Sequence, residues 1–155
     1  MDRVLWDTAA LSYWLEGKEE FRVPLRKLQH DLRREKALLF VSTVTIQELA
    51  VVGLWRRNWD EMIAWILERF NPMPLTRQCA EEAAALQVAV GYAAKGTKSE
   101  RREAKDLWFR DAAIVGTAMA EGLDMVVTTE KRFVAYENHY EGQIRVIEAI
   151  GATET

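Results

Sequence analysis

Residues 109–133 of the chain read FRDAAIVGTAMAEGLDMVVTTEKRF, and they predict a helix, a strand and a second helix in close succession. Apolar side chains recur at helical spacing through the first half, which predicts a helix over residues 106–121 that closes at Gly122. Residues 125–128 are apolar on both faces, as in a strand buried inside a parallel sheet. A short helix is predicted around residues 131–136. This stretch therefore indicates a domain of the α/β class.

The rest of the chain continues this alternation of short apolar strands and longer helices. Further strands are predicted at residues 4–6, 37–41 and 144–147, with a short edge strand at 73–75. Helices are predicted at residues 9–15, 19–36, 43–55, 59–70 and 76–94, with a loop over 95–102. The pattern indicates a three-layer α/β/α domain with a central, mostly parallel sheet of about four to five strands. We expect one domain over residues 1–150 and a C-terminal tail over 151–155.

The composition is that of a globular protein whose charges are mixed. Hydrophobic residues make up 49% of the 155 residues and the formal net charge is −3, so bulk charge does not indicate a nucleic-acid partner. A single cysteine, Cys79, forms no internal disulfide. No apolar run approaches the roughly 18 residues that cross a membrane, and the N-terminus lacks a signal-peptide pattern. We expect a cytoplasmic protein without a membrane partner.

Four acidic residues stand beside or within apolar segments: Asp7, Glu48, Asp111 and Glu130. Asp7 directly follows the strand at residues 4–6, and Glu130 lies two residues beyond the strand at 125–128. Glu48 is early in the helix that leaves the second strand. Because sites in open parallel sheets form outside the carboxyl ends of the strands, we expect these side chains to meet at that edge.

Glu48 and Asp111 also interrupt apolar faces of their helices. The residues one or two turns from Glu48 are Val44, Val51, Val52 and Trp55. Those around Asp111 are Leu107, Trp108, Ile114, Val115 and Ala118. Residues at these spacings share a helix face. Both acids are therefore predicted to project from core-facing stripes, where a carboxylate needs compensation.

A divalent cation is the compensation that we favour. Two unit charges about 4 Å apart repel by about 4 kcal/mol at an effective dielectric near 20. A cluster of hard oxygen ligands without His or Cys favours Mg²⁺ or Mn²⁺ over Zn²⁺, and Mg²⁺ completes its shell with waters and substrate phosphate oxygens. The alternative is a local role for each acid: Asp7 as an N-cap, Glu48 and Asp111 as salt-bridge partners, and Glu130 as an acid in the first turn of a helix.

Three segments together resemble the PIN domain, especially the small single-domain ribonucleases of the VapC toxin type: VLWDTAAL, VSTVTIQEL and residues 109–133. The last segment is the most specific, because an acid opens Ala-Ala-Ile-Val-Gly-Thr-Ala and a Thr-x-acid-x-x-Phe motif follows the strand. The resemblance carries the family's catalytic, metal-binding cluster onto Asp7, Glu48, Asp111 and Glu130. It maps supporting hydroxyls onto Thr8 and Thr128. The fourth acid is often Asp in the family and is Glu130 here, a departure that leaves its direct role open.

This resemblance implies an endoribonuclease that hydrolyses RNA phosphodiester bonds with one or two Mg²⁺ or Mn²⁺ ions. It also implies the toxin of a type II toxin–antitoxin pair, with RNA as substrate, an antitoxin as partner and a homodimer as the assembly. The alternative within the same fold is a binding module, for nucleic acid or a protein, whose active site has drifted. A different phosphate-handling α/β enzyme fits poorly, because Asp7 lacks a second acid two residues on.

A basic run leads into the helix of Asp111 and is a candidate RNA-binding strip, formed by Lys98, Arg101, Arg102, Lys105 and Arg110. Such a strip beside a metal site would hold an RNA backbone against it, whereas many charge runs are solvated helix faces. Asp106 is predicted to cap this helix rather than to bind metal. The tryptophans of the first half are assigned mostly to the core, with one or two left for a dimer or partner surface: Trp14, Trp55, Trp59 and Trp65.

Overall fold

A computed structural model describes the chain over residues 2–90 and 98–151, and the side chains of residues 2–90 and 109–151. The sheet has five parallel strands in the order β3-β2-β1-β4-β5. These strands are β1 Arg3–Trp6, β2 Leu38–Ser42, β3 Asn71–Met73, β4 Met125–Thr128 and β5 Gln143–Val146. The predicted three-layer α/β/α class is confirmed, and β1 is the central strand.

Helices lie against both faces of this sheet. They are α1 Thr8–Leu15, α2 Glu19–Arg34, α3 Thr43–Arg56, α4 Trp59–Arg69, α5 Arg77–Ala89 and α6 Lys98–Ala120, followed by a 3₁₀ helix at Lys131–His139. Within residues 2–90 and 98–151, no helix combines the length and the apolar character that crossing a bilayer requires.

The central strands supply two separate hydrophobic cores, because neighbouring side chains of a strand point to opposite faces. Val4 and Trp6 of β1 join Val127 of β4 and helices α1 to α4 on one face. Leu5 and Val126 join α5, α6 and the 3₁₀ helix on the other face. All five side chains are fully buried. The strands are therefore apolar on both faces, as predicted.

Side-chain caps turn the chain at the carboxyl edge of the sheet. Asp7 directly follows β1 and accepts the N–H of Ala10, and Ser42 ends β2 and accepts the N–H of Val44. These caps satisfy N–H groups that the first turn of a helix leaves unpaired. The ends of β1 and β2 thus each start a helix, which brings α1 and α3 together above the edge.

The edge strand differs from its prediction by two residues. Strand β3 spans Asn71–Met73 rather than residues 73–75, and Pro72 pairs in register with Val41 of β2. Proline has no N–H to donate, so it is tolerated in a strand with only one neighbour. Asn71 strengthens the pairing, because its side chain donates to the carbonyl of Leu39 at 3.1 Å.

Helix α6 begins earlier than predicted. It starts at Lys98, so residues 98–102 are helical where a loop was expected. The stretch is rich in Lys, Arg, Glu and Ala, which are strong helix formers, and residues 98–110 contain no Gly or Pro. Asp106 therefore lies inside α6, and its prediction as an N-cap is wrong. Residues 91–97, with the end of the helix predicted over 76–94, and residues 152–155 of the tail lie outside the described residues.

Candidate functional site at the carboxyl edge of the sheet

Asp7 is the most deeply buried of the four predicted acids, at 3% exposure. Its Oδ1 accepts the N–H of Ala10 at 2.8 Å, and its Oδ2 accepts the hydroxyl of Thr128 at 2.5 Å. The backbone N–H of Asp7 donates to the carbonyl of Val127 at 3.0 Å. These contacts orient the carboxylate between α1 and the end of β4.

The environment of Asp7 opposes its ionisation. Burial raises the pKa of Asp7 from its ordinary 3.8 to about 7, although the hydrogen bonds from Thr128 and Ala10 act in the opposite direction. The charges of Asp111 and Glu130 raise this pKa further. A cation beside Asp7 would offset both the burial and the repulsion.

Glu48 is held by one neutral and one charged donor. The Thr8 hydroxyl donates to Glu48 Oε1 at 2.9 Å, and the same hydroxyl lies 2.9 Å from that of Thr45. Arg110 Nη1 donates to Glu48 Oε2 at 2.8 Å. Arg110, a candidate RNA contact from the sequence, therefore pairs with Glu48 and connects α6 to α3.

The prediction that Glu48 projects from a core-facing stripe is wrong. Val51, Val52 and Trp55 are exposed, Trp55 to 86%, whereas Leu49 of the same helix is buried. Apolar residues occupy more than one face of α3, and helical spacing alone does not say which face the sheet covers. The other tryptophans of the first half do contact the core: Trp14 is buried, and Trp59 and Trp65 pack against it.

Asp111 is buried to 5% exposure on the core-facing side of α6, as predicted, with Ile114, Val115 and Ala118. Arg132 pairs with it through two hydrogen bonds, Nε to Oδ2 at 2.5 Å and Nη2 to Oδ1 at 3.2 Å. Burial raises the pKa of Asp111, and the hydrogen bond and charge of Arg132 lower it. The same pairing raises the pKa of Arg132.

Glu130 joins the site through the same arginine and through its backbone. Arg132 Nη1 donates to Glu130 Oε2 at 3.1 Å. The backbone N–H of Glu130 donates to the Thr128 hydroxyl at 3.0 Å, and that hydroxyl in turn donates to Asp7. Thr128 therefore links two of the acids, and Thr8 contacts a third. Both threonines singled out in the sequence lie at the site.

The four acids line one cleft of about 250 Å³. They reach it from the end of β1, from α3, from α6 and from the turn after β4. Arg110 and Arg132 line the same cleft, so its four acidic and two basic groups give it a formal charge of −2 when all are ionised. The structure thus brings together all four residues that the sequence predicted to converge.

The chemistry of the donors fits a hard divalent cation, because the cleft presents carboxylate oxygens and neither His nor Cys. As the side chains lie, however, no three acidic, His or Cys residues of the described chain stand close enough together to hold a metal ion. The contacts supply a physical reason: Arg132 spans Asp111 and Glu130, and Arg110 holds Glu48.

The local roles that were the alternative for these acids are also present. Asp7 caps α1, and Glu48 and Asp111 are salt-bridge partners. Glu130 precedes the 3₁₀ helix but makes no side-chain cap to it. Convergence and local bonding therefore coexist, since each acid has a structural contact and also faces the shared cleft.

Arg132 is a cleft residue that the sequence did not reveal. It lies two residues after Glu130, within the quoted stretch, but one arginine at the start of a short helix has no distinctive spacing. Ser12 and Tyr13 of α1 line the cleft as well and were not predicted. For the basic strip, the side chains of Lys98, Arg101, Arg102 and Lys105 lie outside the described part of the chain, although their backbone belongs to α6.

The sequence profile of the PIN domain matches residues 4–138. The chain therefore belongs to the PIN-domain family, whose members are generally nucleases, and the resemblance inferred from the sequence is confirmed. None of the curated proteins compared with this chain matches it.

Solved structures share the whole fold. One is VapBC2 from Rickettsia felis bound to a DNA fragment from its promoter, with a TM-score of 0.65, 13% identity and coverage of 95% of this chain and 98% of that one. Another is a toxin–antitoxin complex from Klebsiella pneumoniae, with a TM-score of 0.64, 20% identity and coverage of 94% and 98%. A third is VapBC-1 from nontypeable Haemophilus influenzae, with a TM-score of 0.64, 15% identity and coverage of 93% of this chain and 97% of that one. At these identities the likeness shows the fold alone.

Proposed function

We propose that this PIN-domain chain is a metal-dependent endoribonuclease that hydrolyses RNA in the cytoplasm. The observation that carries the proposal is the convergence of four carboxylates, from four separate elements, in one cleft at the carboxyl edge of the sheet. A cleft of net negative charge repels a phosphate backbone unless a cation lies between them, so the acids favour a metal-assisted reaction.

The side chains divide into binding and positioning roles. Asp7 and Asp111 are the principal ligands for Mg²⁺ or Mn²⁺, Glu48 is a ligand or orients a water, and Glu130 is the fourth acid. When bound, the ion would polarise the phosphate and lower the pKa of a water. Thr128 holds the Asp7 carboxylate in place, and Thr8 does the same for Glu48.

The substitution Asp7→Asn tests this proposal. Asparagine keeps an oxygen for the N–H of Ala10, so the fold should persist. It supplies no negative charge, so RNA cleavage should fall more than about a hundredfold. That is beyond the loss typical when a residue that only supports a metal ligand is changed. Cleavage of a labelled RNA should be measured with Mn²⁺ and with EDTA, alongside the circular dichroism spectrum.

The matched control is Asp60→Asn, an exposed aspartate in the first turn of α4. It makes the same chemical change away from the cleft, and cleavage should be unchanged. Cleavage by Asp7→Asn at the parental rate, or parental cleavage that is indifferent to EDTA, would show that the site is assigned wrongly.

A drifted binding module on the same fold is the second candidate. The pairing of Arg110 and Arg132 with the acids favours it, since internal cations already neutralise part of the cluster. A drifted site predicts no stabilisation by Mn²⁺ and no EDTA-sensitive cleavage. An active nuclease predicts both, so a thermal melt with and without Mn²⁺ separates the two candidates.

We further propose that the chain is the toxin of a type II toxin–antitoxin pair and that it forms a homodimer. The solved structures that share its fold include toxin–antitoxin complexes, which supports the proposal of a protein partner. A short neighbouring reading frame that encodes a DNA-binding protein should yield a product that copurifies with this chain and suppresses its cleavage. Light scattering should give twice the mass of one chain, and a monomer would contradict the dimer.

A further inference from the structure

One guanidinium that lines the acidic cleft bonds two of its acids. All three nitrogens of Arg132 donate to carboxylates: Nε and Nη2 to the two oxygens of Asp111, and Nη1 to Glu130. A guanidinium that meets a carboxylate with two parallel hydrogen bonds forms one of the stronger contacts in proteins. Arg132 therefore offsets part of the negative charge for which the proposed metal ion would be needed.

From this geometry we propose that Arg132 is an internal cation of the cleft, which competes with a divalent metal ion for Asp111 and Glu130 and so weakens metal binding. The proposal rests on the metal-dependent function inferred above. Its basis is that the guanidinium bonds both oxygens of Asp111 and one of Glu130. As these side chains lie, no three acidic, His or Cys residues of the described chain stand close enough together to hold an ion.

The exposure of the paired side chains shows which of them can give way. The Asp111 side chain is 7% exposed and the Arg132 side chain 41% exposed. Arginine is long and flexible, so its charged end can move into solvent while the aspartate stays on α6. An arriving ion would then meet a carboxylate that is already in position, with Arg132 as the group that is displaced.

Arg110, the other arginine of the cleft, bonds fewer of its acids than Arg132 does. Among the side chains of residues 2–90 and 109–151, Arg110 bonds one acid, Glu48, through Nη1 at 2.8 Å. Arg132 contacts two acids, one of them buried. The charges of Asp111, Glu130 and Asp7 all act on the Arg132 guanidinium, so its removal would take one positive charge from the neighbourhood of three carboxylates.

The test is Mn²⁺ binding to the full chain, measured by titration calorimetry for the parent, Arg132→Gln and Arg132→Lys. Removal of the guanidinium should tighten Mn²⁺ binding by about tenfold, the order expected for one charge-assisted contact. Lysine keeps the charge but cannot form the two parallel bonds, so the Mn²⁺ affinity of Arg132→Lys should lie between those of the parent and Arg132→Gln. Adding Asp7→Asn to Arg132→Gln should abolish the gain in Mn²⁺ affinity. That result would show that the ion binds in the cleft that contains both residues.

Thermal melts give a second readout that needs no RNA. In EDTA, Arg132→Gln should melt below the parent, because Asp111 and Glu130 are left without their cation. Saturating Mn²⁺ should raise its melting temperature by more than it raises that of the parent. The matched control is Arg77→Gln, which removes an exposed pair between Arg77 and Glu81. Neither residue lines the cleft, so Mn²⁺ affinity should be unchanged.

The possible failures are distinguishable. Equal Mn²⁺ affinity in the parent and Arg132→Gln would overturn the competition while leaving the metal-dependent function standing. If neither the parent nor any variant bound Mn²⁺, both the competition and the proposed function would be overturned. A poorly folded Arg132→Gln would move the comparison to Arg132→Lys, for which unchanged affinity would count against the proposal.

Discussion

Asp7 combines a buried position with a side chain that ordinarily carries a charge. It is fixed by Ala10 and Thr128, neither of which supplies a positive charge, and burial raises its pKa to about 7. The folded chain therefore binds a proton at Asp7 more tightly than the unfolded chain does. The stability that this proton contributes is fully present below the ordinary pKa of 3.8 and is lost as pH rises through about 7.

This linkage predicts how Asp7→Asn behaves in metal-free buffer. Asparagine cannot ionise, so the variant does not lose stability as the parent does when Asp7 deprotonates. Its free energy of unfolding relative to the parent should therefore rise between about pH 4 and pH 8. From the size of the pKa shift, the free energy of unfolding of the variant relative to that of the parent should change by on the order of a few kcal/mol across that pH range. Urea unfolding in EDTA at several pH values measures it. Asp60→Asn should show no such trend, and parallel profiles for Asp7→Asn and the parent would refute the buried, weakly acidic state.

Helix α6 carries Asp111, and its position depends on a close contact with α5. A Cβ atom added at Gly116 would lie 2.7 to 2.8 Å from the N, Cα and Cβ atoms of Ala83. Atoms do not approach that closely, so only glycine lets the two helices pack at this distance. The face of α6 that contacts α5 lies within the same core as the buried residues beside Asp111.

Gly116→Ala should therefore destabilise the protein, against the usual direction for a helical glycine. Alanine favours a helix interior by about 1 kcal/mol over glycine, but overpacking costs about 1–3 kcal/mol, and here the clash wins because two of the three clashing atoms are backbone. The melting temperature should fall by several degrees. Adding Ala83→Gly should recover only part of the stability. A more stable Gly116→Ala would show that α5 and α6 are not in close contact.

The distribution of charge over the whole molecule bears on how the RNA of the proposed function would be held. The chain has a formal net charge of −3 and the cleft itself is negative, so attraction to a phosphate backbone must come from a local basic surface. The first turns of α6 contain the candidate strip and lead directly to Asp111. Binding that depends on these residues releases counterions and weakens as salt rises.

Glutamine substitutions at four basic residues of α6, Lys98, Arg101, Arg102 and Lys105, should weaken RNA binding and flatten its salt dependence. The slope of log affinity against log salt should fall by roughly 0.7 for each phosphate that the variant no longer neutralises. A matched set on α2 makes the same change of charge at exposed positions: Arg26, Lys27, Arg33 and Arg34. Filter binding from low to moderate salt measures the slopes. Equal slopes for both sets, or a flat slope for the parent, would contradict the strip.

Local patterns were sufficient for the order of elements and for much of the candidate site. The strands at residues 4–6 and 125–128 were predicted from apolar runs, because a strand buried on both faces needs no partner to be recognised. Asp7 was predicted from its place after a strand, since the carboxyl ends of parallel strands share one edge. The start of α6 was not predicted, because its first turns are charged and lack an apolar stripe, although their residues favour a helix.

The pairings between distant residues were decided by packing. Arg132 meets Asp111 across 21 residues and Arg110 meets Glu48 across 62, and neither separation has a signature in the chain. Likewise, which face of α3 points outward is decided only by its packing in the fold, which buries Leu49 and leaves Trp55 exposed. Spacing along a helix or strand states which side chains share a face, because that geometry is local. What lies against the face depends on how separate elements come together, so the arginines that pair with the acids of this cleft are visible only in the folded molecule.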